Sequence, residues 1–447
     1  MLNVQEAEER AAALVDRAAR AGADASDVVY YANASTAVQV RLGELEDVAR
    51  TEAETVSLRL FVGSRSASVS SSDLSDDAMT ALVERAVAMA REAPEDPWSG
   101  LAPEELLMRG TGPDVDGDDG GDPLPLELKE RSLAMEAAGM EVAGITNSEG
   151  AAVSAGRSVF ALATSHGFNR GYSTTGYSAS ASMIAGTGSE MQRDYSHHSV
   201  RHYSELDDPE TLGRQAGERA MARLNPAKLP SGTMPVLFDP RIGNSLLGYL
   251  MIAIGGPSIT RRTSFLLDKE GEQLFSEQVT IRDDPHRLRG VRSKPFDGEG
   301  LATRPVNVVE AGRLTGWLLE SASARQLGRA PTGHATRTSG APTIGATNVH
   351  MEPGRVPVEQ LIGEVERGLY VTHLIGQGVN PVTGDYSRGA SGFIIEQGRL
   401  GPAVEEITIA GNLLDMFARL VPADDLEFRY TFNVPTLRID GMTVAGA

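Results

Sequence analysis

Cysteine is missing from all 447 residues, so disulfides, thiolate nucleophiles and thiolate-held metal are excluded. That fits a reducing compartment. No apolar run approaches the roughly 18 residues a membrane-crossing helix requires. The opening MLNVQEAEERAAALVDRAARAGAD carries acidic residues and an interrupted apolar pattern instead of the basic start and continuous apolar core of a signal peptide. The expectation is a cytoplasmic protein that keeps its first segment.

Catalytic signatures are also lacking. The histidine pair of HExxH, one helical turn apart with a glutamate to activate water, does not occur. Its nearest approach is HHSVRH: His198 and His202 are four apart, but Ser199 follows the first and Arg201 would oppose a dication. A strand end or surface cluster is the expected role of His197, His198 and His202. Strict G-x-S-x-G is absent, AVSAG around Ser154 being the closest, so a nucleophile elbow has no support. Gly376 and Gly378 do not complete a dinucleotide fingerprint, and no phosphate-binding P-loop exists. The other histidines, His166, His286, His334, His350 and His373, are scattered as turn or core residues would be.

Positive charge is outnumbered, 41 Lys and Arg against 61 Asp and Glu, for a formal charge of −20. Such a surface repels nucleic acid and anionic membranes. A 41% hydrophobic content over this length supports a large core in more than one folding unit.

Val4, Ala7, Ala11, Leu14, Val15 and Ala18 recur at helical spacing, with Asn3 and Glu6 placed as a capping box and Gly22 as a stop. Between Asp27 and Ser70 the pattern becomes short β-prone runs, and Met79, Leu82, Val83, Ala86, Val87 and Ala90 mark a second helix. The segment TGPDVDGDDGGDP, within an acidic linker at about 108–125, fails as an EF-hand because Asp119 and Pro125 stand where Gly and Glu are needed. It reads as a solvated linker. A further helix around 126–139 precedes a second set of antiparallel strands through ASASMIAG, and two helix-plus-strand blocks before residue 205 suggest duplication. Asp208 and Pro209 open another helix, and Pro226 to Pro230 mark a junction. We therefore expect an α+β chain: residues 1–230 as an antiparallel sheet with covering helices, and 231–447 as a β-rich domain. Asp239 and Pro240 should cap a helix with Ile242, Leu246, Leu247, Leu250, Met251 and Ile254 on its apolar stripe.

The segments FDPRIGNSLLGYLMIAIGGPSITRRTSFLLDKEGEQLF and GLYVTHLIGQGVNPVTGDYSRGASGFIIEQGRL, with the ending LRIDGMTVAG, resemble the PmbA/TldE branch of the TldD/PmbA peptidase family over essentially the whole chain. In the zinc-bearing TldD branch, the helix after the junction carries HExxxH and a C-terminal cysteine adds a ligand. Here the equivalent helix reads Gly248, Tyr249, Leu250, Met251, Ile252, Ala253, and there is no cysteine. The resemblance thus implies no catalytic residues, no metal and no cofactor in this chain, with zinc in a TldD-type partner. Without an ion to acidify water, amide hydrolysis at neutral pH has no evident nucleophile here.

The same resemblance implies a heterodimer enclosing a chamber for extended or unfolded peptides, which can add to a strand edge. Within NPVTGDYSRGASG, Asn380, Gly384, Asp385, Tyr386, Ser387 and Gly389 are candidates for peptide or partner contact; a tight turn between two strands is the equal alternative. Arg261 and Arg262 are expected to pair with the acid-rich surface rather than bind a peptide carboxylate. Two other readings remain: a homodimeric peptide-binding or modulator protein, and a self-sufficient hydrolase.

Overall fold

The structure, a computed structural model, describes residues 1–446. Its first helix, α1 (Val4–Arg20), starts as its sequence requires: Asn3 Oδ1 accepts from Glu6 N at 3.0 Å, and Glu6 Oε2 accepts from Asn3 N at 2.9 Å. It stops where Gly22 takes φ +94°, a left-handed conformation costly to any residue with a Cβ. Strands β1 (Ala25–Arg41), β2 (Glu44–Val62) and β3 (Arg65–Ser71) follow, then α2 (Asp76–Glu92). After the acidic stretch the same order recurs: α3 (Pro125–Met140), β4 (Ile145–Thr164), β5 (Asn169–Ala185), β6 (Gln192–Val200) and α4 (Pro209–Ala222).

The two sets of strands are not separate sheets. They form one six-stranded antiparallel sheet in the order β3-β2-β1-β4-β5-β6, joined where β1 pairs with β4 from Asp27↔Thr164 to Val40↔Ala151. All four helices cover one face. Val28, Tyr30 and Ala32 of β1 pack beneath α1 and α2, while Val38 and Val40 of the same strand pack beneath α3. Strand β4 does the converse, giving Val159, Ala161 and Ala163 to the first cluster and Ala151, Val153 and Ala155 to the second. Each block thus completes the other's core. Helices α3 and α4 touch through glycine: a Cβ on Gly213 would stand 1.8 Å from the Met135 carbonyl oxygen.

The opposite face of this sheet meets the C-terminal half. Val29, Tyr31, Phe160, Leu162 and Tyr172 pack with Phe168, Met108 and Phe296, and the Tyr172 and Phe296 rings cross edge-on at 5.4 Å. In that half, β7 (Gly232–Phe238) leads into α5 (Pro240–Ala253), whose start is capped by Asp239 Oδ1 accepting from Arg241 N at 2.9 Å. Strand β7 lies parallel to Arg367–Ile375, which pairs antiparallel with Asp385–Glu396 and so on through Arg399–Asn412 to Leu437–Ala445. The last strand also pairs with β7, closing a barrel that buries its edges. Leu246, Leu247, Leu250 and Met251 of α5 are buried in the core of this half, and Ile242 is only partly buried. The result is the α+β architecture expected.

The acidic stretch is not a solvated linker. Val115 is buried, Asp118 Oδ2 accepts from Arg157 Nη2 at 2.9 Å, and Asp119 Oδ1 accepts from the Tyr177 hydroxyl at 2.6 Å. Its carboxylates find donors on the sheet beneath, which composition could not reveal. Among the described residues no helix is long and apolar enough to cross a membrane.

Candidate functional site

A cleft runs between β6 and the open face of the sheet on one side and α5 with the loop 287–294 on the other. Arginines from the C-terminal half hold it to acids of the N-terminal half. Arg241 Nη1 meets Asp194 Oδ1 at 3.0 Å, Arg429 Nη1 meets Asp207 Oδ2 at 2.7 Å, and Arg289 reaches Asp116 and Glu205 at 2.6 Å each. Burial works against the Arg241 cation, but Asp239 and Asp194 outweigh it and raise its pKa. Arg241 therefore keeps its charge in this contact.

Several cavities open along the cleft, two of which bear on function. One, of about 360 Å³, lies against α5 at Gly248 and is walled by His197, Arg429 and Tyr430. The His197 and Tyr430 rings lie 5.2 Å apart. Burial, then the charges of His198 and Arg429, lowers the His197 pKa, so this imidazole is neutral at pH 7. The other cavity, of about 550 Å³, is bounded by Tyr31, Phe160 and Tyr172 on the sheet and by Lys294 and Arg337 opposite.

The three clustered histidines do not converge. His197 packs against Tyr430 with the rings tilted, His198 Nδ1 accepts from Asp207 N at 3.2 Å, and His202 Nε2 lies 3.0 Å from the Asp116 carbonyl oxygen. Among the described residues no three His, Cys, Asp or Glu side chains stand together as metal ligands would. On α5, Gly248 and Ala253 carry no ligand atom, and the Tyr249 hydroxyl accepts from Arg388 Nη1 at 3.2 Å. This donor set does not fit a zinc ion.

The six candidates of the NPVTGDYSRGASG run separate. Asn380 and Asp385 shape the loop: Asn380 Oδ1 accepts from Val382 N at 2.9 Å, and Asp385 Oδ2 accepts from the Thr383 hydroxyl at 2.6 Å. Hydrogen bonds from Thr383 and Asn412 lower the Asp385 pKa. Gly384 takes φ +79° against Phe265, and Gly389 pairs with Ile375. Tyr386 is 1% exposed, inside the barrel against Tyr249, and its hydroxyl has no protein partner. Of the six, Asn380, Asp385 and Ser387 are exposed. Arg261 and Arg262, expected in structural pairs, are exposed and make no ion pair among the described residues.

Three successive domain profiles match this chain: PmbA/TldA metallopeptidase domain 1 at residues 26–90, the central domain at 118–224 and the C-terminal domain at 231–446. Escherichia coli O157:H7 metalloprotease PmbA is 37% identical over 425 residues, spanning 95% of this chain and 92% of that one. The chain belongs to the PmbA/TldD family. A PmbA homologue of Haemophilus influenzae is 35% identical over the whole chain and 98% of its own length. In structure, a Bacteroides thetaiotaomicron protein described as a candidate modulator of DNA gyrase superposes with a TM-score of 0.92 at 26% identity, covering 100% of both chains. TldE from Thermococcus kodakarensis gives 0.87 at 22% identity over 97% of this chain and 99% of that one, a likeness of fold.

The residues around the larger cavity escaped the sequence reading. Tyr31, Tyr172, Arg201, Lys294 and Arg337 come from distant segments, and no spacing links them. The local trace they leave is two basic residues in Val291-Arg292-Ser293-Lys294, unremarkable until folding sets them beside Arg337.

Proposed function

We propose that this chain is the non-catalytic, TldE/PmbA-type subunit of a TldD/TldE metalloprotease, forming part of a chamber that admits extended peptides to the zinc of a TldD-type partner in the cytoplasm. The observation that carries this reading is the helix α5. In a chain of this family it offers Gly248, Tyr249 and Ala253 where the zinc branch carries its ligands, and no cysteine stands anywhere to complete a set. The exposed, unpaired edge of β2 from Glu44 to Thr55 offers main-chain groups to an extended peptide or a partner strand.

A homodimeric modulator is the second reading, its modulator part favoured by the Bacteroides thetaiotaomicron protein described as a candidate modulator of DNA gyrase. Light scattering coupled to size exclusion, with zinc and peptidase assays on the chain alone and with its host's TldD homologue, separates the two. The subunit reading predicts an inactive, zinc-free chain that gains chelator-sensitive peptidase activity in a 1:1 complex. A stable homodimer indifferent to TldD would overturn it, as would peptidase activity in the chain alone.

A further inference from the structure

The 550 Å³ cavity is basic in an acidic protein. Its walls carry Arg201, Arg292, Lys294 and Arg337 and no aspartate or glutamate, although the chain as a whole bears −20. Arg337 is 5% exposed, and its pairing is incomplete. Nη1 meets Asp27 Oδ1 at 2.5 Å, while Nε and Nη2 are buried with no protein partner. Asp27 is moreover shared with Arg59, so two guanidinium groups face one carboxylate there. Arg201 spends Nη1 on the Thr175 carbonyl at 2.8 Å and Nη2 on the Val291 carbonyl, and its buried Nε too has no partner. Lys294 Nζ donates to the Ala335 carbonyl at 2.9 Å and keeps further donor capacity, since an ammonium has three.

Leaving a buried charged donor unmatched costs more than leaving a neutral one. Such a cluster is stabilised by a group that brings negative charge and several acceptors together. The hydroxyls of Tyr31 and Tyr172 line the same space and supply further donors. We infer that this interdomain cavity binds an oxyanion, a carboxylate or phosphoryl group carried by a small molecule or a peptide end. Arg337 supplies its buried fork and Lys294 and Arg201 its flanking charge. The planar fork suits a two-oxygen acceptor, and the cavity is large enough to admit more of the ligand than the charged group alone. The inference concerns this chain by itself and holds whether or not it pairs with a TldD-type subunit.

Calorimetric titration of the full chain at low ionic strength tests it with three probes: inorganic phosphate, N-acetyl-trialanine with a free carboxylate, and the same peptide as its C-terminal amide. Saturable 1:1 binding of phosphate or of the free acid is expected, weakened about tenfold or more by Arg292→Glu or Lys294→Met, a change of roughly 1.4 kcal/mol. Should Lys294→Met lower the melting temperature, Arg292→Glu decides, because Arg292 is exposed and makes no ion pair among the described residues. Binding of the acid but not the amide assigns the site to a peptide end; binding of phosphate alone assigns it to a phosphoryl group. Failure of both anions to saturate by about 10 mM, or undiminished binding in the deciding variant, overturns the inference.

Discussion

Arg337 donates through Nη1 to Asp27 Oδ1 at 2.5 Å, a bond between side chains 310 residues apart in sequence. Asp27 sits at the start of β1 and Arg337 in the C-terminal half, so this buried pair ties the sheet to the domain laid over it. Burial alone would raise the Asp27 pKa; Arg337 and then Arg59 overcome it and hold the carboxyl below its ordinary range. Asp27→Ala is expected to destabilise the protein by roughly 3–5 kcal/mol, because it strands two buried guanidinium groups. Denaturant unfolding measures this, and a cost below about 1 kcal/mol would mean the pair is solvated.

Glu299 gives the protein a pH dependence of the opposite sign. Burial first, and then the charge of Asp297, push its carboxyl up to about 7 from the usual 4.5. Between those values the folded state keeps a proton that the unfolded chain has released, so stability from this group falls as pH rises through 4.5 to 7. Glu299→Gln, which preserves an acceptor for Ser321 N and its hydroxyl, should be more stable than the parent above pH 7 and approach it near pH 4.5. Melting curves at the two pH values check this; parallel profiles would refute it.

The contact of α3 with α4 leaves no room for a methyl group at Gly213. Gly213→Ala should cost roughly 1–3 kcal/mol by forcing the helices apart, although alanine has the higher helix propensity. An unchanged melting temperature would show that the helices can slide to accommodate it.

Tyr386 tests whether the NPVTGDYSRGASG run is a site or a core. Its hydroxyl is buried without a partner, and burial pushes its pKa up. Tyr386→Phe is expected to leave stability unchanged or raise it by about 1 kcal/mol, without altering peptide processing in a complex with TldD. A loss of processing with intact folding would restore this residue to the candidate site.

The legible parts of this protein were those set by local chemistry. The Asn3–Glu6 capping box, the Asp239-Pro240 start of α5 and the apolar stripes of α1 and α2 were readable because neighbours along the chain satisfy them. The junction of β1 with β4 was not, since the register between residues as far apart as Asp27 and Thr164 depends on pairing that no local pattern encodes. For the same reason the aspartates of the 108–125 stretch looked solvated: their donors, Arg157, Tyr177 and Arg289, lie far along the chain. In the NPVTGDYSRGASG run, composition marked the turn but could not say that the strand alternation sends Tyr386 inward and Ser387 outward.

The crossing of β1 and β4 between two helix pairs makes the N-terminal region an interlocked object. Severing the backbone anywhere between α2 and α3 would leave two fragments each lacking a strand half its own helices need, so a nicked chain should hold together as a complementing pair and neither piece should persist alone. The two helix–three strands–helix blocks, alike in order, are parts of one indivisible unit.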